Sequence, residues 1–397
     1  MAFQTGNNVS VRYKVQSGLG SPASGSGGKE LPLIASGGLV PAKAAIESPE
    51  VRSDGMTSIG RHGSRSVSGE YASVVRVGAQ DEIIEAAARG TWSAAASITQ
   101  ADVTSITTTA TTIVAATGSW ISLGVRAGDV VRLTDHSTTS NNNKNIPVVS
   151  VSASTITVPT GYLTLDSTPD TSFTLTRLKR VTQGTTSRYF TVDEYHADID
   201  QSELFTDCMV SSFAVAMGAD DTVRATIGMV GRQFAAKTTG ESPVLTGPTQ
   251  YLSQNIVATD AIILKNGVAI ADLTGFEFTM DLGATTLPVI GATISPDVFP
   301  NNTRVTGSFS CVRSDLSFLE NFSNEDTLSL FFLLTEPESE PKDCLGVYIP
   351  YLKLMSAPDA PLGGDGPMVS TIQWVAGKIP TTTGAADTMI QFVSSAA

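Results

Sequence analysis

The stretch DEYHADIDQSE, residues 193–203, is where the sequence comes closest to a reactive site. On a strand, alternate side chains point the same way, so His196, Asp198 and Asp200 would share a face. An imidazole beside two carboxylates suits a divalent ion. A solvated acidic segment is the simpler reading, because no second His or Cys lies nearby to complete a metal site. DIDQSE also lacks the glycine of a calcium-binding EF-hand loop. The glycine-rich run SGSGGKE, residues 24–30, has no first P-loop glycine, and Glu30 stands where that motif needs Ser or Thr. Neither a G-x-S-x-G elbow nor a G-x-G-x-x-G turn occurs. The three histidines, His62, His136 and His196, are far apart, and TEPESEPKD (335–343) reads as a surface loop. Cys208, Cys311 and Cys344 are odd in number and isolated, which fits neither a disulfide framework nor a zinc site. The reading assigns no catalytic residue, no cofactor and no enzyme, and leaves His196, Asp198 and Asp200 as the one metal candidate.

The elements that would position such groups are mostly strands. The 397 residues suggest two or three units, and the abundance of Thr, Ser, Ala and Gly over charged residues, 16%, favours β structure with many turns. SGLGSPASGSGG (17–28) reads as a flexible arm or long loop. Residues 43–77 read as extended, with turns at Gly55, Gly60 and Gly63. DEIIEAAARG carries acids in its first turn, Arg89 in its last and Gly90 at the stop, the marks of a helix. From Trp92 the texture becomes Thr- and Val-rich, with strands expected at 111–116, 119–123, 129–134, 146–152, 154–158 and 172–179. This predicts a small β-barrel or immunoglobulin-like sandwich inserted at 96–180, flanked by two halves, 1–95 and 181–397, of one β domain.

The second half returns to strict alternation. GFEFTMDL places Phe276, Phe278, Met280 and Leu282 on one face and Glu277, Thr279 and Asp281 on the other. RVTGSFSC does the same, and such period-two patterns mark sheets with one buried and one wet face. VSSFAVAMGADDTVRATIGMVG reads as a hairpin turning at Asp220 and Asp221. DLSFLENF reads as a second helix, capped by Ser314 or Asp315 and packing Phe318, Leu319 and Phe322. Two strand-to-helix corners resemble each other: Val67, Gly69 and Tyr71 align with Val305, Gly307 and Phe309, and Ile83, Ile84, Glu85 and Ala87 with Phe318, Leu319, Glu320 and Phe322. A duplicated β-plus-helix unit follows from that alignment.

Charge narrows the partners. The net charge is −13, and residues 181–397 hold 25 acidic against 10 basic groups, while 1–95 hold 8 against 9 and 96–180 hold 5 against 6. A nucleic-acid binder needs the opposite balance. The chain starts without an apolar leader, and LSLFFLL (328–334) is too short to span a bilayer, so folding in a reducing cytosol and no membrane partner are expected.

Three stretches carry a resemblance: VRSDGMTSIGRHGSRSVSGEYASVVRVGAQDEIIEAAARGTW, LGVRAGDVVRLTDHSTTSNNNKN, and GFEFTMDLGATTLPVIGATISPDVFPNNTRVTGSFSC with the helix after it. Together the chain resembles a tail tube protein of a long, non-contractile-tailed bacteriophage. The resemblance implies two packed β-sheets with short helices, a structural virion role, and hexameric rings stacked into a conduit for phage DNA. It also implies tape measure, tail terminator and distal tail proteins as partners, and assembly in the host cytoplasm. The acidic wet face, with Asp220, Asp221, Glu277 and Asp281, would then line the lumen. The competing classes are a β-rich adhesin or carbohydrate binder using the inserted unit, and a glycan hydrolase using a carboxylate pair. Against the hydrolase stand the few aromatic residues, 7%, available to stack on sugars.

Overall fold

The computed structural model describes residues 3–270, 272–337, 341–356, 366–379, 384 and 386–396. It is mainly β, as the composition requires. The largest layer runs, strand beside strand, through Leu33–Ile46, Arg61–Val74, Arg224–Gly231, the second half of Gln201–Gly218, Leu273–Asp281, Arg304–Val312 and Val369–Ala376, all antiparallel. A second layer contains Ala261–Lys265, Leu328–Thr335, Cys344–Leu354, Gln391–Ser394 and Lys179–Thr182. The layers join where Leu352–Leu354 pair with Trp374–Ala376.

Alternation builds the core between them. Phe213, Phe276, Phe278 and Trp374 point inward from the first layer and meet Phe332 and Phe392 from the second. Ring centroids lie 3.8 Å apart for Phe276 and Phe332 and 6.1 Å apart, edge to face, for Phe213 and Phe392. Aromatic pairs at such distances add to the burial of their own area.

The 18-residue strand Gln201–Gly218 serves two sheets. Its first half lies between Phe190–His196 and Gln233–Lys237, and Val9–Val15 extends that smaller sheet. The change of partner falls at Asp207, whose φ of 56° kinks the strand and shifts its register between Phe190 and Val192. Bulges of this kind let one strand cross from sheet to sheet. GADD makes the expected hairpin turn between Gln201–Gly218 and Arg224–Gly231.

The two corners share their strands and differ in their helices. Gly69 and Gly307 both lie where a neighbouring strand's carbonyl, of Gly38 and of Glu277, leaves no room for a Cβ. Asp81–Ala88 buries Ile83, Ile84 and Ala87, whereas Ser317–Ser323 buries none of its residues. Asp315 accepts the Ser317 amide at 2.9 Å, while Ser314 turns to Asp272 instead. The left-handed residue ending the first helix is Arg89, φ 51°, and not Gly90. Gly90 is required for a different reason: a Cβ there would meet the Thr182 carbonyl.

Of the two readings of residues 17–28, flexible arm or long loop, the structure has the loop, and it is tied down. The Gly20 amide donates to Asp207 at 2.7 Å, Ala23 to Thr191 at 2.8 Å and Gly25 to the Val244 carbonyl at 3.0 Å. Glu336 is likewise buried rather than in a surface loop, accepting from the Val77 amide at 2.8 Å and the Ser253 hydroxyl at 3.0 Å. Residues 338–340 of that stretch lie outside the described residues.

Residues 96–177 form two small sheets of five and four strands around a core of their own, with Ile98, Ile106, Trp120, Leu133 and Leu175 within it. Residues 119–123 are not the expected strand. They curl into turns that bury Trp120, whose indole donates to the Ser154 carbonyl at 3.0 Å. Strands at Ala96–Thr99, Ile106–Thr108 and Asp166–Asp170 were not expected, and 146–152 splits into Ile146–Pro147 and Ser150–Val151. The chain enters and leaves this part side by side, the Ser93 amide donating to the Arg180 carbonyl at 2.8 Å. Its base rests on the outer face of the second layer, with Val130 packed among Leu264, Phe331, Leu333, Cys344 and Val393. An ion pair between Arg180 and Asp129, 2.7 Å, closes the junction.

Candidate functional site

The metal candidate dissolves into separate contacts. The strand Phe190–His196 ends at His196, and 197–200 form a turn closed by Asp200 at φ 49°. A turn has no period of two, so the three side chains do not share a face. His196 approaches Glu203 at 3.7 Å. Asp198 accepts from the Thr5 amide at 2.8 Å and hydroxyl at 2.6 Å, bonds that, with one from Asn8, hold its carboxyl below the usual range. Asp200 accepts from Tyr195 at 3.1 Å. Among the described residues, no three His, Cys, Asp or Glu side chains are disposed to hold a metal ion.

The outer face of the large sheet is different in kind. Register places its side chains in rows across six strands. One row reads Arg224, Ala216, Glu277, Ser308, Gln373; the next reads Ala72, Thr226, Ala214, Thr279, Thr306, Val375; a third reads Glu70, Gly228, Ser212, Asp281, Arg304. Small and hydroxylated residues dominate, charges are spaced, and none of the residues in these rows is aromatic.

Glu277 and Asp281 are exposed on this face, as the alternation predicts. Ser308 donates to Glu277 at 2.8 Å, and Asp281 accepts the Gly283 amide at 2.8 Å. Asp220, φ 58°, and Asp221 sit beside the face at the hairpin turn. The Thr222 amide and then Arg224, at 3.1 Å, hold the Asp221 carboxyl low. Sequence reasoning missed Glu70, because its strand lacks a clean alternation; Tyr71 beside it was the available signal. It also missed that Arg304 stands directly opposite Asp281.

Not all of the acidic excess is on this face. Asp193 and Asp207 are fully buried, and Glu194 accepts from the Leu39 amide at 3.0 Å and from the Tyr71 hydroxyl. Burial pushes the Glu194 carboxyl up, opposed by those two bonds. These acids fasten distant segments together. The edge of the sheet is open: Leu33–Ile46 pairs only with Arg61–Val74 among the described residues.

Fold and face together define a structural β-sandwich subunit, built to present one open, polar sheet face. A family model described as phage tail tube protein matches residues 6–376, and the chain belongs to that family, a component of the bacteriophage virion tail. No curated protein matches the chain. Among the described residues, no helix is long and apolar enough to cross a membrane.

Proposed function

We propose that copies of this chain close into rings, hexameric as the resemblance implies, and stack into the hollow tube of a long non-contractile tail. The polar face of the large sheet lines the lumen through which the genome passes. The observation that carries this reading is the open sheet itself. An unpaired edge strand is a hazard in a lone subunit, and continuing the sheet into a neighbour removes it. A head-to-tail contact that closes gives a ring. Short, hydroxylated and acidic side chains offer DNA few phosphate contacts.

In this reading 1–95 and 181–397 are one β domain and 96–180 an inserted unit on the outer wall. Its seat on the second layer, with the core between it and the polar face, supports that placement. The tape measure protein would occupy the lumen before DNA does, and the terminator and distal tail proteins would cap the two ends. Negative-stain microscopy of concentrated purified protein tests the assembly. Rings or tubes with a central channel are expected; monodisperse single subunits at every concentration would overturn it.

A further inference from the structure

We propose that Glu194 guards the open edge of the large sheet: its carboxylate holds the outward amide of Leu39, and that bond must give way before a second copy's strand can pair along Leu33–Ile46. This rests on the ring reading and adds the control of its seam.

Register tells which groups of the edge strand face outward. In an antiparallel ladder, alternate residues turn their amides toward the partner strand and away from it. Leu39 stands opposite Gly69, yet its amide donates to the Glu194 carboxylate at 3.0 Å. Leu39, Pro41 and Lys43 are therefore the outward positions, and Gly38, Val40 and Ala42 the inward ones. Pro41, opposite Val67, has no amide. It takes no bond from the existing ladder and offers none to a newcomer. Of two successive outward amides, one is occupied and the other is absent.

The flanks of this stretch are irregular as well. The register shifts between Leu33 and Gly37, with Gly37 at φ 83°, and again between Lys43 and Ala45. A proline, bulges and a covered amide are devices that keep a lone sheet edge from pairing indiscriminately.

The guard comes from a different sheet. Glu194 belongs to Phe190–His196 and lies between Val11 and Glu203 in register. Its carboxylate also accepts from the Tyr71 hydroxyl. It lies over Gly38 so closely that a Cβ there would sit 3.7 Å from Oε1. Tyr71 holds the carboxylate when Leu39 is released, so opening breaks one bond and leaves the other.

The edge is within reach on both sides of the guard, because Gly37 and Val40–Ile46 are exposed. Alongside runs a groove of about 440 Å³, lined by Pro41, His196, Gln201, Glu203, Phe205 and Phe234. Neither ring nitrogen of His196 has a hydrogen-bond partner among the described residues. The groove gives an incoming strand room, and a carbonyl of that strand replaces the carboxylate at Leu39. Exchanging one acceptor for another changes the free energy little. The guard therefore turns away a strand that brings nothing else and yields to a neighbour docked over a whole interface.

The test follows the Leu39 amide by hydrogen exchange, in free subunits and in tubes. The Tyr71→Phe, Glu194→Met double variant removes the guard without leaving the Tyr71 hydroxyl unpaired. In its free subunit the Leu39 amide should exchange at least tenfold faster than in wild type. In tubes the two proteins should be equally protected, since the neighbour supplies the acceptor. The double variant should also form tubes at a concentration at least threefold lower. Tyr71→Phe alone and Glu194→Gln, which both keep an acceptor at Leu39, should match wild type. Should the double variant not fold, Glu194→Asp, whose carboxylate falls one methylene short of Leu39, is read in the same way. A Leu39 amide exchanging as fast in variant tubes as in the variant subunit would show that no strand pairs there. A tube-forming concentration unchanged or raised in folded variant would show that the contact only fastens the two sheets. Either result overturns the guard and leaves the tube standing. Wild-type protein that forms neither rings nor tubes would overturn both.

Discussion

Gly307 shows how a single missing side chain sets the distance between strands. A Cβ there would fall on the Glu277 carbonyl and on the Trp374 ring. Gly307→Ala must therefore displace a backbone or an aromatic in a packed core, at about 1–3 kcal/mol. Urea unfolding should show a lower midpoint at unchanged slope. Glu194 carries a second residue-scale consequence. Its folded pKa is raised by burial, so between the ordinary carboxylate value and that raised value the folded chain keeps a proton the unfolded chain has lost. Stability then falls as pH rises through that window. Glu194→Gln can still accept from Leu39 and Tyr71 but cannot ionise. The difference in melting temperature between variant and wild type should be smallest at acid pH and grow in the variant's favour toward neutrality; a flat difference would show that Glu194 does not titrate there. Residues at this scale were only half legible. The exposed Glu277 and Asp281 follow from alternation within their own strand. The buried Asp193, Glu194, Asp207 and Glu336 do not, because their donors, the amides of Leu245, Leu39, Gly20 and Val77, come from segments far away in the chain.

Strands that alternate read out well because the pattern is local, and both Leu273–Asp281 and Arg304–Val312 fall where the pattern puts them. Residues 119–123 have strand composition, but one large side chain, Trp120, gains more by turning inward than the backbone gains by extending. The 17–28 segment has the composition of a free linker; its order comes from backbone bonds to other strands, which composition does not encode. A broad-specificity protease should accordingly spare 17–28 in the free subunit as well as in tubes, and rapid cutting there in free protein would count against these contacts. The texture change after Trp92 was legible in composition, and the residues there share a hydrophobic cluster of their own. Its footing was not. Replacing 96–177 by a short Gly/Ser linker bridges the paired Ser93 and Arg180, so the sandwich and its assembly should survive. The deletion also uncovers Phe331 and Tyr348, the latter packed against Gly128, so solubility should drop and recover when Tyr348→Ser is added. Insoluble protein with both changes would mean that 96–177 is part of the core.

At the scale of the whole molecule, the question is what the charge of −13 does. Part of it is internal, as the buried acids show, and part keeps the subunit soluble. The proposal is that the remainder on the polar sheet face keeps DNA moving. Duplex DNA carries about one negative charge per 1.7 Å of axis, and a basic lining would gather phosphates and release their counterions, so that each contact slows the strand. A lining of the same sign leaves only repulsion, screened beyond about 10 Å at moderate salt. Arg304 opposite Asp281 and Arg224 beside Asp221 moderate the field, which leaves Glu277 and Glu70 as the acids of this face without a cation directly across from them. Changing Glu277 and Asp281 together to Lys reverses the sign of the face and leaves Phe276, Phe278 and Met280 in the core untouched. Tubes should still form, because the buried face is intact. DNA delivery should slow, and raising the salt concentration should restore its rate by weakening the new phosphate contacts. Delivery at the wild-type rate and salt response, from well-formed tubes carrying both lysines, would mean that this face does not line the channel.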